Sequence, residues 1–518
     1  MKSYIIKKKI PRFVRNDDST DESTEVGIGG EVADSDLPSS LESACHSERS
    51  EESLIYSDNK TSEISDSKTK RIILIIICLA TFQTPFMGSA LNLALPSIAK
   101  SFSLDAVAQS WIVSIYLLSS AIFAIPFAKL GDMLGRKKVF TWGVFMLLFA
   151  SCGCVISPSF LWFVAFRFLQ GLGSAMIFGT GMPVLISVFS PKERGKVLGI
   201  NTSVVYFSAA AGPFLGGMLT EHFGWKSIFV LNIIVGVLIL FGVFSRMRAM
   251  EWIESKKGKF DLIGVLIYAL GLSSLIYGFS RLPHIYGFYL TATGLILLCL
   301  FGVYENKYKF PIFNVKLFVK NKVFRLSSFA ALINYAATFG IGYMLSLYLQ
   351  HIKGYSAQIA GTILIIQPVT QGIFSMWSGR LSDKINAAKL ATSGMALIVV
   401  ALLLMLLLNE NTPLLFLVFG LIVLGTGFAF FSSPNMNVIM ISVDKQYFGM
   451  ASATTGTMRL VGQSFSMGIV AMITSLIVGK VKITSEVHVN LMESIHSTFI
   501  VFAILCSIGV YFSLSRTK

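Results

Sequence analysis

The sequence predicts an all-α polytopic membrane protein with fourteen transmembrane helices, on three observations. Apolar residues make up 54% of the 518 and charged residues only 14%, with a mean hydropathy of +0.69. Soluble domains carry about 25% charged residues, so a water-soluble chain of this size would be short of charge for its surface. From Arg71 onward, long apolar runs alternate with short polar breaks. Crossing a hydrocarbon core about 30 Å thick takes about 20 apolar residues in a helix. Finally, Lys and Arg are sorted between alternate breaks.

Residues 1–70 are rich in Ser, Asp and Glu and hold 15 of the 28 acids and 10 of the 43 bases. Such a segment buries too little apolar surface to fold, and is expected to be a disordered acidic cytoplasmic tail. Its basic start, Met1 to Arg15, is not followed by an apolar stretch, so no cleaved signal is expected. The spans are expected at 72–96, 106–128, 138–157, 160–187, 196–220, 226–245, 261–280, 286–304, 326–350, 356–378, 388–408, 412–434, 448–478 and 494–514. Ser157-Pro158-Ser159 is the tight turn between the third and fourth.

With the tail on the cytoplasmic side, inner segments hold 25 Lys and Arg, outer segments hold 6, and Arg167 and Arg459 lie inside spans. This follows the positive-inside rule and puts both termini in the cytoplasm of a cell-membrane protein. The same distribution argues against a nucleic-acid partner, because the net +15 is scattered over short loops. The lipid bilayer is the expected partner. The six cysteines show neither a disulfide framework nor metal-ligand spacing, and no cofactor or metal is expected. No His pair or nucleophile–base pair lies together on the spans, so an enzyme is not expected.

An internal repeat divides the chain. Ala128-Lys129-Leu130-Gly131-Asp132 follows span 2, with Gly135, Arg136 and Lys137 after it, and Gly379-Arg380-Leu381-Ser382-Asp383-Lys384 follows span 10. Six-helix halves related in this way are typical of transporters. The reading is a six-helix bundle at 71–245, a linker with two extra helices at 246–324 and a second six-helix bundle at 325–518.

Leu130, Gly131, Asp132, Gly135, Arg136 and Lys137 resemble the inner-loop signature of the major facilitator superfamily, with Ala128 and Met133 at its usual Gly and Arg positions. Small residues there let helix ends approach, while Asp132 and Arg136 can bond neighbouring helix ends. Ser208 to Gly217, with Gly212, Pro213, Gly216 and Gly217, is similar to the superfamily's antiporter signature. Pro213 kinks the helix and the glycines admit a close neighbour. Arg167, Gln170 and Gly171 resemble the intramembrane arginine motif, for which the resemblance implies a part in proton transfer. A charge in lipid costs at least ~2.5 kcal/mol, so Arg167 should face the bundle interior. Arg459 lies in an Arg-x-x-Gly stretch like that of the fourteen-span drug:proton antiporter branch. Asn92, Ala94, Leu95 and Pro96 match that branch's first-span signature, with Met87 where the branch has a buried Asp.

The resemblance implies a major facilitator fold, two six-helix bundles plus a two-helix insert, that exports small amphipathic molecules by alternating access against inward protons, as a monomer. All 13 acids after residue 70 fall in loops or at span edges. This leaves an uncoupled facilitator or uptake carrier open as an alternative, and a non-transporting membrane sensor as another. Asp105, Glu221 and Asp261 are fallback carriers of the proton. Gln83, Asn92, Trp111, Gln170, Tyr206, Asn334, Tyr335, Gln367, Gln371, Asn435, Asn437 and Gln463 are candidates to line a central cavity.

Overall fold

The computed structural model describes residues 67–247, 260–443 except 283, 310, 314 and 383, and 448–516 except 480, 482 and 484. The acidic tail through residue 66, Asp383 and the side chain of Tyr206 lie outside the described residues.

Among the described residues, 14 helices are long and apolar enough to cross a membrane. Each expected span is present. Spans 1 to 6 are Ser67–Phe102, Ala106–Leu134, Arg136–Ile156, Phe160–Val188, Gly199–Phe223 and Lys226–Arg246. Spans 7 and 8 are Leu262–Ser280 and Ile285–Lys307. Spans 9 to 14 are Lys322–Ile352, Ala357–Ser382, Ala387–Met405, Leu414–Ile441, Thr454–Ile477 and His488–Ser515.

Helix ends follow local chemistry. Span 2 starts at an Asp105 cap whose carboxylate accepts from the Ala108 amide at 2.6 Å. It ends at Gly135, whose φ of 113° suits glycine and separates it from span 3. The helix of span 5 begins at a Ser190–Glu193 capping box, and the Ser190 bonds hold the Glu193 carboxyl below the usual carboxylate range. Two spans differ from the continuous helices expected. Span 9 breaks at Ala337 and Thr338, then widens into a π-helical turn at Tyr348–Ile352. Span 10 breaks at Ile365, three residues before Pro368.

The repeat read from the loops extends to the packing. Span 1 lies against spans 4, 5 and 6, span 2 against 4, and span 3 against 4 and 6. In the other half, span 9 lies against 12, 13 and 14, span 10 against 12, and span 11 against 12 and 14. Adding eight to each number turns the first set of pairs into the second. The halves meet through spans 2 and 13 and through 5 and 10, pairs that exchange under the same relation. Spans 7 and 8 pack on each other, and span 7 lies along the seam of spans 2 and 13.

Candidate functional site

Pro96 sets up the first part of the site. It has no N–H, so the Asn92 carbonyl four residues earlier loses its helical donor. The Ser346 hydroxyl of the opposite half donates to that carbonyl at 2.9 Å, and the Gln350 amide reaches the Leu93 carbonyl at 3.3 Å. Gln350 lies on the π-helical turn, which widens the end of span 9 toward span 1. Ala94 and Leu95 of the same motif are fully buried. At the same end, the Gln358 amide N–H donates to Glu221 at 2.9 Å, His222 and Gln358 bond at 2.9 Å, and the Ala106 amide donates to the Val481 carbonyl at 3.1 Å. These hydrogen bonds join the two six-helix sets at this end.

The antiporter-like glycines sit in the same seam. A Cβ on Gly216 would come 2.6 Å from Ala90, and one on Gly217 would come 2.3 Å from the Ala357 carbonyl of span 10. Gly361 of span 10 is equally tight against the Pro213 carbonyl, at 2.2 Å. Gly212 faces Ser89 of span 1. The helices therefore pack closely where these glycines lie, and a Cβ at any of them would force a neighbour to shift.

Toward the other end, the Asp132 carboxylate accepts from Arg136 at 2.8 Å, and Arg136 also donates to the Ser187 hydroxyl at 2.9 Å and the Pro183 carbonyl at 3.4 Å. Gly131 fits under Thr180, 2.6 Å from where its Cβ would be. This latch joins spans 2 and 3 to span 4. The repeat at span 10 keeps Arg380 and Lys384 in its described part. Asn437 of span 12 donates to Ser382 at 3.1 Å, Gly379 faces Ser433, and Leu381 and Lys384 are exposed. Leu130 and Lys137 are half-buried. A recess of about 490 Å³ lies beside Gly199, Ile200, Ser203, Val204 and Phe207 on this half of span 5.

Arg167 is fully buried at the centre of the first half. It donates to Gln170 at 2.6 Å and to the Ile112 carbonyl at 3.2 Å, and its guanidinium lies 4.4 Å from the centre of the Tyr116 ring. Two charge-assisted bonds and a desolvated ring contact offset the cost of holding this charge away from water. Gln170 and Asn232 both donate to Ser151 at 2.8 Å, and Gln83 donates to the Asn232 carbonyl at 2.8 Å. Arg167 Nη2, Gln83 Oε1 and Asn232 Oδ1 are buried with no partner. The network thus keeps one cation and several unpartnered polar atoms in the buried interior. Gly171 permits it, since a Cβ there would meet the Tyr116 carbonyl at 2.3 Å.

The second half is different. Asn334, just before the break in span 9, is fully buried with both amide atoms unpartnered, and the Tyr343 hydroxyl is also buried and unpartnered. Across the break, the Gly340 amide donates to Ser466 of span 13 at 2.9 Å. Arg459 of span 13 reaches over the Phe178 ring of span 4 at 5.0 Å, crossing between the halves. Of the polar cavity candidates, Gln83, Gln170, Asn435 and Asn437 are taken up in helix-to-helix bonds. Trp111 packs on Tyr277 of the insert at 5.6 Å. Gln367 and Gln371 bond each other at 3.2 Å. Sequence reasoning missed Ser346, Gln350 and Tyr343. Only the proline-freed carbonyl at Asn92 signalled that a donor was needed.

Comparison with known proteins follows from this geometry. A family profile described as Major Facilitator Superfamily matches residues 77–467 and 327–518. The chain is 30% identical over 401 residues to the riboflavin transporter RibZ of Clostridioides difficile (strain 630), covering 77% of this chain and 87% of that protein. It is 27% identical over 431 residues to the multidrug resistance protein Stp of Mycobacterium tuberculosis (strain CDC 1551 / Oshkosh), covering 82% and 79%. It is 27% identical over 424 residues to the methylenomycin A resistance protein of Bacillus subtilis (strain 168), covering 80% and 89%. A bacterial homolog of the human lysosomal transporter Spinster, solved inward-facing and unoccupied, has the same fold with a TM-score of 0.61 at 16% identity, over 87% of this chain and 98% of that one.

Proposed function

The chain belongs to the Major Facilitator Superfamily, and on that premise we propose that it exports small amphipathic molecules across the cell membrane by alternating access, in exchange for inward-moving protons. The observation that carries this reading is the polar seam that joins the halves at one end, from Asn92–Ser346 to Glu221–Gln358. The sorting of basic residues assigns that end to the outside and both termini to the cytoplasm. The site is then sealed outward, and substrate enters from the cytoplasmic side. Gly212, Gly216 and Gly217 are the seal. Asp132 and Arg136, with the repeat at Gly379 to Lys384, form the inner latch. Arg167 is the coupling residue, and Asn334 and Tyr343 bind substrate. Arg459 spans the seam while the outer end is closed. The protein works as a monomer.

The resistance and multidrug names of two relatives support export of amphipathic compounds. A second reading, an uncoupled or uptake carrier, is favoured by Met87, which is fully buried at the position of the branch's Asp. Flux in proteoliposomes separates them, using riboflavin and a panel of dyes with and without a pH gradient. Export coupled to protons predicts flux that an opposing proton gradient accelerates and a protonophore collapses. Equal flux under all conditions makes the protein an uncoupled facilitator, and no flux of any compound removes the transport reading.

A further inference from the structure

The insert carries a feature that none of the motifs accounts for. Asp261 caps the start of span 7, and Glu305 lies in the last turn of span 8. Each is 2% exposed. Asp261 Oδ1 accepts from the Gly264 amide at 2.8 Å and from the Tyr304 hydroxyl at 3.0 Å. Glu305 Oε2 accepts from the Phe313 amide at 3.2 Å. The remaining oxygens, Asp261 Oδ2 and Glu305 Oε1, are buried with no partner. Both point at one place: a Cβ on Gly264 would come 2.5 Å from the first and 2.6 Å from the second.

We propose that Asp261 and Glu305 are a proton-binding site, holding one proton between them and closing the base of the two-helix insert. An ionised carboxylate only accepts, so two facing carboxylates leave both inner oxygens without a donor. One proton on either carboxyl makes it a donor to the other and satisfies both atoms. A metal ion is the weaker fit. Hard cations take six or more oxygens, whereas only two are unused here and the others already accept from Tyr304, Gly264 and Phe313. Among the described residues, no base forms a salt bridge with either acid. Among the described residues, the titratable groups that face the pair are Tyr304 and, stacked on it at 5.4 Å, Tyr308. The adjoining spans 2 and 13 contribute Tyr268's acceptor, the Ala121 carbonyl, and apolar side chains. Gly264 is glycine because its Cβ would occupy the place of the shared proton.

The assignment does not depend on substrate or direction, so it is tested apart from transport. The full chain in lipid nanodiscs is examined by infrared spectroscopy at pH 7 for the C=O stretch of a protonated carboxylic acid. The site predicts one such band in the wild type. It should vanish in both Glu305→Gln and Asp261→Asn, whose amides supply the donor and keep the base closed. Protection from hydrogen exchange at 260–264, with the intrinsic pH dependence of amide exchange divided out, should fall with pH in the wild type and stay flat in Glu305→Gln, which also controls for folding. No band in the wild type, or a full band in both variants, overturns the proposal. So does a band removed by NaCl or MgCl₂ at constant pH, which would make the ligand a metal cation.

Discussion

The first and second six-helix sets pair their helices in the same way, yet their centres are chemically opposite. The first encloses a guanidinium, Arg167, braced by Gln170, the Ile112 carbonyl and the Tyr116 ring. The second encloses the neutral Asn334 and Tyr343, with polar atoms left open. Its own buried arginine, Arg516, sits at the extreme inner end, spread over Ser327, Asn435 and Ser513. Burial lowers the Arg516 pKa to about 10, which still leaves it charged at neutral pH. On the proposed function, charge handling belongs to the first half and substrate selection to the second.

The strongest way to break that division is Arg167→Ala. It removes the only charge in the network and leaves Gln170 and the Ile112 carbonyl without their donor. Transport in proteoliposomes should fall to background while the purified protein stays monodisperse. Unchanged flux would remove charge handling from the first half. Next come Gly217→Ala and Gly361→Ala, which place a methyl group 2.3 and 2.2 Å from a facing carbonyl. Overpacking of about 1–3 kcal/mol against the closed outer end should shift the inward/outward balance by about 5- to 150-fold, read as accessibility of outer-end cysteines to an impermeant reagent. Because the two residues face each other's helices across the pseudo-symmetric seam, the two variants should act alike.

A smaller effect is expected from Ser346→Ala, which deletes the donor to the Asn92 carbonyl. A net loss of about 1 kcal/mol corresponds to roughly fivefold in the same assay. Pro96→Ala restores a helical N–H for that carbonyl, so adding Ser346→Ala to it should cost little more; full additivity would show that the two do not share an acceptor. The mildest test concerns the second half. Asn334→Leu removes two unpartnered polar atoms, so thermal stability should hold or rise by about 1 kcal/mol while substrate affinity drops severalfold. Lower stability with intact affinity would make Asn334 a structural residue.

Much of this was legible in the chain. Span number follows from apolar length, and the interior placement of Arg167 follows from the cost of a charge in lipid. The close packing at Gly216 and Gly217 follows from small residues next to a proline. What was hidden depends on distance in sequence. Ser346 lies 254 residues from Asn92, and nothing periodic links them. Asp261 and Glu305 both read as acids at span edges; only folding turns them toward one glycine. The break in span 9 has no proline to announce it, and Gln83 and Asn435 satisfy neighbouring helices where they are expected to line a central cavity.

The most direct test of alternating access is a distance across the sealed end. Spin labels at Lys100→Cys and Glu410→Cys, both exposed positions at that end, should give one short distance in nanodiscs without substrate. Adding substrate and lowering the pH should populate a second, longer distance. A single unchanged distance under every condition would contradict the account.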